Sequence, residues 1–201
     1  MADRKPNSKK QARAEKAQRH AEQMAARFGK EIERSLAGVQ RLEAPVTSEV
    51  EGRVPEAPAG SENNPLREIA DGLYAEYDAC MAEVDFTGAA TAVQKLASRV
   101  NLYVEESAPW TLAKDPARAD ELAGVIYNCL EAIRIIALYM APFMPNTSAE
   151  VFRRLGLGEI AGVTDIQEAT AWGQLPAGNP VEIGDPLFPR LDMDAIDLSM
   201  E

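Results

Sequence analysis

The residue types that carry most enzyme chemistry do not form a recognisable catalytic set in this sequence. His20 is the only histidine, so neither a histidine-based nucleophilic triad nor a metal site with several histidine ligands is expected. No glycine-rich phosphate loop follows a predicted strand. The many carboxylates fall mostly on predicted exposed helix faces, where solvation explains them better than general acid–base work. We therefore expect no catalytic residue, no metal ligand and no cofactor in this chain.

The two cysteines also lack the spacing of a metal site. Cys80 and Cys129 are far apart, and each lies in an apolar helical pattern. They predict two reduced, buried thiols in a cytoplasmic protein. The sequence contains no run of about 18 apolar residues, so no membrane span is predicted. The polar N-terminus does not resemble a secretory signal. Neither a membrane nor DNA is expected as a partner.

Charge is divided unevenly along the chain. The net charge is −11, but residues 1–41 carry +6 and residues 42–201 carry −17. The acidic part argues against nucleic-acid binding over its whole surface. The basic arm could supply contacts to phosphates.

Apolar residues at spacings of three and four predict the elements that position these groups. The predicted helices cover residues 11–42, 65–83, 86–106 and 116–140. The first has a narrow apolar seam and a basic stripe. The last is apolar nearly all round, which is typical of the central helix of a bundle.

Polar residues mark where the predicted helices begin and end. Asp85 is a predicted N-cap, and Asp115 is another, followed by Pro116 at the first helical position. Thr147 and Glu150 form a capping-box pattern that predicts the start of a short helix, closed by Gly156.

The pattern predicts four regions. Residues 1–42 form a basic arm and helix, a candidate first helix of the bundle, and residues 43–64 form a linker rich in proline and glycine. Residues 65–158 form the helical bundle. Residues 159–201 form an irregular segment that packs back on it. The expected fold class is an all-α helical bundle.

Several short motifs occur in an order that is similar to one known family. They include Ser107–Asp115, Asp85–Ala90, Leu96–Asn101, Pro142–Pro145 and Gly184–Asp192. Over about residues 65–192 the chain resembles the anticodon-binding domain of methionyl-tRNA synthetases, a class I synthetase family. The resemblance implies a helical bundle of that type and binding of tRNA, with tRNA(Met) as the expected partner.

The resemblance implies a role for one residue near the middle of the chain. In the family the tryptophan of the Ala-Pro-Trp motif contacts the anticodon, which here is Trp110. An unstacked base on an indole face is worth about 1–3 kcal/mol. The alternative is that Trp110 only anchors the core between helices.

Asn101 either bonds a base or caps the helix junction, while Arg99 and Lys114 either reach phosphates or stay solvated. Because Arg134 lies in an otherwise apolar helix, we expect it to form an internal ion pair with a glutamate.

The family's other anticodon contacts come from an earlier helix, where Asn and Arg lie four residues apart just after a glycine. Here Gly29 precedes Lys30 and Arg34, which share one helix face. Arg34 matches the arginine, and Lys30 replaces the asparagine. This replacement removes an acceptor and adds a charge, so base discrimination would be weaker or changed. The alternative is a solvated basic stripe.

The family's catalytic motifs are absent from this chain. Neither a His-Ile-Gly-His-like motif nor a Lys-Met-Ser-Lys-Ser-like loop occurs, so we expect no ATP-dependent aminoacylation by this chain alone. The leading hypothesis is a tRNA-binding module that recognises the anticodon of tRNA(Met). The alternatives are the anticodon-binding part of a split methionine–tRNA ligase with a separate catalytic chain, and a remnant protein-interaction scaffold.

Overall fold

The computed structural model describes residues 52–61 and 63–188. The predicted helix over residues 11–42, with Lys30 and Arg34, lies outside the described residues. The end of the closing motif, from residue 189 on, also lies outside them.

Over the described residues the chain is helical and contains no strand, so the predicted all-α class is confirmed. One isolated antiparallel bridge joins Arg53 to Pro180. The α-helices are α1 (Pro65–Ala82), α2 (Phe86–Ser107), α3 (Pro109–Leu112), α4 (Ala119–Met140), α5 (Pro145–Arg154) and α6 (Ile166–Ala169), with 3-10 turns at Pro116–Arg118 and Ile160–Gly162.

The first two long helices begin at side-chain caps. The Asn64 side chain accepts from the backbone N–H groups of Leu66 and Arg67 at the start of α1. Asp85 caps α2 as predicted, because its carboxylate accepts from the Gly88 N–H at 2.9 Å. A Cβ at Gly88 would lie 2.2 Å from that carboxylate, so glycine is needed there. These caps satisfy backbone donors that have no partner inside the helix.

The predicted helix over 116–140 begins with a different geometry. Asp115 does cap the segment, and Pro116 is at the first position, but residues Pro116–Arg118 form a 3-10 turn. The α-helical part, α4, begins at Ala119. The cap was therefore predicted correctly and the first turn was not.

The capping box predicted at Thr147 is wrong. Helix α5 begins two residues earlier, at Pro145, because the fixed φ of proline suits the first helical position. The Glu150 carboxylate accepts from Arg153 and Arg154 instead of capping the helix. Gly156 follows the helix with φ +63, so its role in ending the helix is confirmed.

Helix α4 is the centre of the bundle, as its apolar pattern predicted. Every residue from Gly124 to Met140 is buried, with α1, α2 and α5 packed around it. The segment Pro116–Met140 is long and apolar enough to cross a membrane by length and composition alone. However, 94% of its most apolar window is buried inside the protein, as in the core helix of a bundle.

Two polar residues of α4 fix the segment after α5. Glu131 and Arg134 form a buried ion pair, with 2.7 Å between an Arg134 Nη and a Glu131 Oε, which confirms the internal pair predicted for Arg134. Glu131 also accepts from the N–H groups of Gly173, Gln174 and Leu175. The segment Gly173–Leu175 is therefore held against the central helix by hydrogen bonds to one carboxylate. The domain boundaries at 42, 64 and 158 stay a prediction.

Both cysteines are free thiols. Cys129 is fully buried in α4, and burial raises the pKa of its thiol to about 12. Cys80 is only half-buried at the end of α1, so the prediction of two buried thiols is wrong for it. The reason is that Cys80 lies in the last turn of α1, beside the exposed turn that leads to α2.

Candidate nucleic-acid interface

The segment around Trp110 is a sharp junction between α2 and α3. Ala108 joins the two helices in a left-handed conformation, with φ 42 and ψ 56. Its N–H donates to the Val104 carbonyl at 3.1 Å, and its carbonyl accepts from Thr111 at 2.7 Å. Pro109 and Leu112 are buried. The junction is thus held by backbone hydrogen bonds and by two side chains in the core.

Trp110 lies between these two anchors but points outward. Trp110 is 44% exposed, whereas Leu112 is 1% exposed. The core-anchor alternative for Trp110 therefore fits less well, because Pro109 and Leu112 fill that role. An exposed indole on a fixed turn offers an apolar face to a planar ligand at little cost in conformational entropy.

The other candidates near this junction differ in their contacts. Asn101 is half-buried, and its amide donates to the Ala97 carbonyl at 3.3 Å, one turn back along α2. Arg99 pairs with Glu106 at 2.9 Å. Lys114 is exposed and forms no ion pair within the described ranges. The base and phosphate contacts predicted for Asn101, Arg99 and Lys114 stay predictions.

A cleft of about 360 Å³ lies beside the same junction. The cleft is lined by the loop around Ser61, the C-terminal half of α2 with Tyr103, and the N-terminal half of α4 with Asn128. The Asn128 amide donates to the Ser61 carbonyl at 2.9 Å and to the Tyr103 hydroxyl at 3.3 Å. Burial raises the pKa of Tyr103.

This cleft was not predicted from the sequence. Ser61 and Asn128 are 67 positions apart, and only the packing of α4 under the loop brings them together. One signal was present: Asn128 is a polar residue in an otherwise apolar stretch of α4. The sites predicted at Lys30 and Arg34 lie outside the described residues, so their distance from Trp110 is not described. Within the described residues no three His, Cys, Asp or Glu side chains could hold a metal ion.

Comparison with known families assigns most of the chain to one of them. Residues 54–198 match the family model described as the anticodon-binding domain of methionyl tRNA ligase. This match covers α1 to α6, the junction at Trp110 and the cleft.

Curated relatives agree with this match. The chain is 37% identical over 129 residues to methionine–tRNA ligase of Bacillus subtilis, covering 64% of this chain and 19% of the relative. It is 34% identical over 164 residues to the ligase of Oceanobacillus iheyensis, covering 78% of this chain and 23% of the relative. The chain thus spans about a fifth of the length of these relatives.

A solved structure supports the same relationship. The chain is similar to Mycobacterium tuberculosis methionyl-tRNA synthetase in complex with methionyl-adenylate, with a TM-score of 0.65 and 25% identity. The similarity covers 83% of this chain and 31% of that one. The helical bundle, the order of its motifs and these matches agree, and the chain belongs to the family of anticodon-binding domains of methionyl-tRNA ligases.

Proposed function

We propose that this chain binds the anticodon loop of tRNA(Met) and that Trp110 is the platform on which one base stacks. The observation that supports this most directly is the 44% exposure of Trp110 between two buried anchors. An unpaired base on such an indole contributes about 1–3 kcal/mol by alanine substitution. Asn101, Lys30 and Arg34 are the further proposed anticodon contacts.

In this proposal the basic arm makes the contacts to the phosphates of the RNA. The sequence after residue 41 carries a net charge of −17, and the arm carries +6. An acidic surface repels the RNA backbone, whereas lysines and arginines release its counterions on binding. Affinity would therefore fall with added salt, with a slope set by the few phosphates that the arm can reach.

Intrinsic fluorescence offers a direct test. A Trp172→Phe variant leaves Trp110 as the only tryptophan, and its emission is followed while tRNA(Met) is added. Stacking predicts a saturable change in emission. In a separate binding assay, Trp110→Ala should weaken tRNA affinity about 5- to 150-fold.

Phe86→Ala is the matched control. Phe86 is also an exposed aromatic residue, at 52%, but it begins α2, whose 22 residues place it roughly 30 Å from the junction. Its variant should bind tRNA normally. Unchanged binding by Trp110→Ala, with no fluorescence response to tRNA, would reject the proposed role of Trp110.

Selectivity needs a second titration, with tRNA(Met) and an anticodon-substituted version at two salt concentrations. Recognition of the anticodon predicts tighter binding of the natural sequence at both. Equal binding would show that the protein holds RNA only through charge.

A second proposal concerns aminoacylation. The similar proteins are ligases, and in this proposal the chain acts as the anticodon-binding part beside a separate catalytic chain in the cytoplasm. Aminoacylation that requires both polypeptides would support this proposal. A monodisperse protein without affinity for any RNA would favour a protein-interaction scaffold instead.

A further inference from the structure

The cleft beside the Trp110 junction contains two buried polar atoms that no described residue satisfies. They are the Oδ1 of Asn128 and the Oγ of Ser61, both in residues that line the cleft. Asn128 is 2% exposed. A buried polar atom without a hydrogen bond is destabilising, so two in one cleft call for a hydrogen-bonding partner from outside the chain.

The orientation of the Asn128 amide is determined by its neighbours. Its Nδ2 donates to the Ser61 carbonyl at 2.9 Å and to the Tyr103 hydroxyl at 3.3 Å. Turning the amide over would place Oδ1 against the Ser61 carbonyl, where two acceptors repel each other. The free acceptor therefore remains Oδ1.

The lining restricts the chemistry of the ligand. Asn128 Oδ1 needs a donor, and the Ser61 hydroxyl can donate to an acceptor or accept from a donor. Pro58, Gly124 and Val125 add apolar surface. Asp120 and Glu121 also line the cleft. Glu121 is paired with Arg118, so it is the carboxylate of Asp120 that disfavours an anionic ligand such as a phosphate.

An unpaired nucleobase meets these requirements. It is flat and uncharged, and its Watson–Crick edge carries an N–H donor beside a ring nitrogen or carbonyl acceptor. The volume of about 360 Å³ is at the lower end of the roughly 300–1,000 Å³ typical of ligand pockets. Ser107 lines the cleft three residues before Trp110, so their Cα atoms are at most about 10 Å apart.

We propose that this cleft binds a second unpaired base of the RNA, with Asn128 and Ser61 on its hydrogen-bonding edge. This inference rests on the proposed anticodon function and adds a base site that Trp110 does not contact by stacking. The glycine at position 124 is consistent with a base in this cleft. A Cβ there would lie 3.2 Å from the Ser61 Cβ, so a larger residue would press on the wall of the cleft.

The test uses the full chain and neutral nucleosides. Adenosine and cytidine are titrated separately while backbone and side-chain amide resonances are followed by NMR, with ribose 5-phosphate as a sugar-phosphate control. Saturable shifts at Asn128, Ser61 and Gly124 with the nucleosides, and none with the control, are the expected result.

Ser61→Ala should weaken nucleoside binding about threefold to tenfold. The variant should fold normally, because the Ser61 Oγ bonds to no described residue. Ser98→Ala, an exposed serine of α2, is the matched control and should leave binding unchanged. Equal binding by the wild type and Ser61→Ala would overturn the role of Ser61 in the cleft.

Several outcomes would overturn the proposal. Absence of shifts up to tens of millimolar nucleoside would mean that the cleft holds only solvent. Shifts with ribose 5-phosphate or with spermidine, and none with nucleosides, would mean that it binds an anion or an organic cation. If Trp110→Ala loses tRNA binding but nucleosides do not bind, this inference fails and the anticodon function stands. If nucleosides bind but tRNA does not, the anticodon function fails instead.

Discussion

Glu131 and Arg134 lie one turn apart on α4 and are both buried, with side chains 0% and 5% exposed. The guanidinium donates twice to the carboxylate and also to the carbonyls of Ala169 and Ala171. The carboxylate accepts in addition from three backbone N–H groups over Gly173–Leu175. One ion pair therefore supplies most of the polar contacts between the central helix and the segment that follows α6.

Removal of one partner of this pair should be strongly destabilising. Glu131→Gln leaves the Arg134 charge buried and uncompensated, which costs about 3–5 kcal/mol of unfolding free energy. Urea denaturation followed by circular dichroism measures the loss. Arg118 and Glu121 form an exposed pair at the same spacing, so Glu121→Gln should cost less than about 1 kcal/mol. Similar losses in the two variants would contradict this assignment.

Val84 should be replaceable by glycine with a gain in stability. Its φ is +59, in the left-handed region that disfavours β-branched residues, and the residue is 66% exposed. Val84→Gly relieves this strain and loses little packing, so we expect a gain of about 1 kcal/mol and a higher Tm by calorimetry. Val84→Ala retains Cβ and should not give the same gain. A lower Tm for the glycine variant would show that this backbone is not strained.

Stability should decrease in acid partly because of Glu150. Hydrogen bonds from Arg153 and Arg154 lower the pKa of its carboxyl from 4.5 to about 2. A lowered folded-state pKa contributes stability above pH 4.5, and that contribution is lost as the pH falls from about 4.5 towards 2. Glu150→Gln should reduce the pH dependence of the unfolding free energy in this window. An identical pH profile for the variant would count against this ion-pair cluster.

Cys129 should be inert to thiol reagents in the folded protein. It is fully buried, and its pKa is raised to about 12 by burial, so the reactive thiolate is scarce at pH 8. A Cys80→Ser variant isolates this thiol. We expect no reaction with a chromogenic disulfide in buffer and one reactive thiol after unfolding in guanidinium chloride. Rapid reaction of the folded variant would mean that α4 opens easily.

Local patterns predicted the helices well because their causes are local. Asp85 caps α2 through a bond three residues away, and a cap of this kind depends only on residue type and spacing. The capping box at Thr147 was wrong for a local reason too. The sequence contains two residues that favour a helix start, and the helix begins at the earlier one, Pro145, so Thr147 lies inside the helix and does not cap it.

By itself, the sequence determined the all-α class, the central position of α4 and the family motifs around Trp110, since periodicity and motif order are properties of the chain. Only the tertiary structure decided which side chains are exposed and which meet. It placed Pro109 and Leu112 in the core and left Trp110 outside. It also brought Ser61 against Asn128 across 67 positions. Burial and long-range hydrogen bonds depend on how helices pack, and no local spacing encodes that packing.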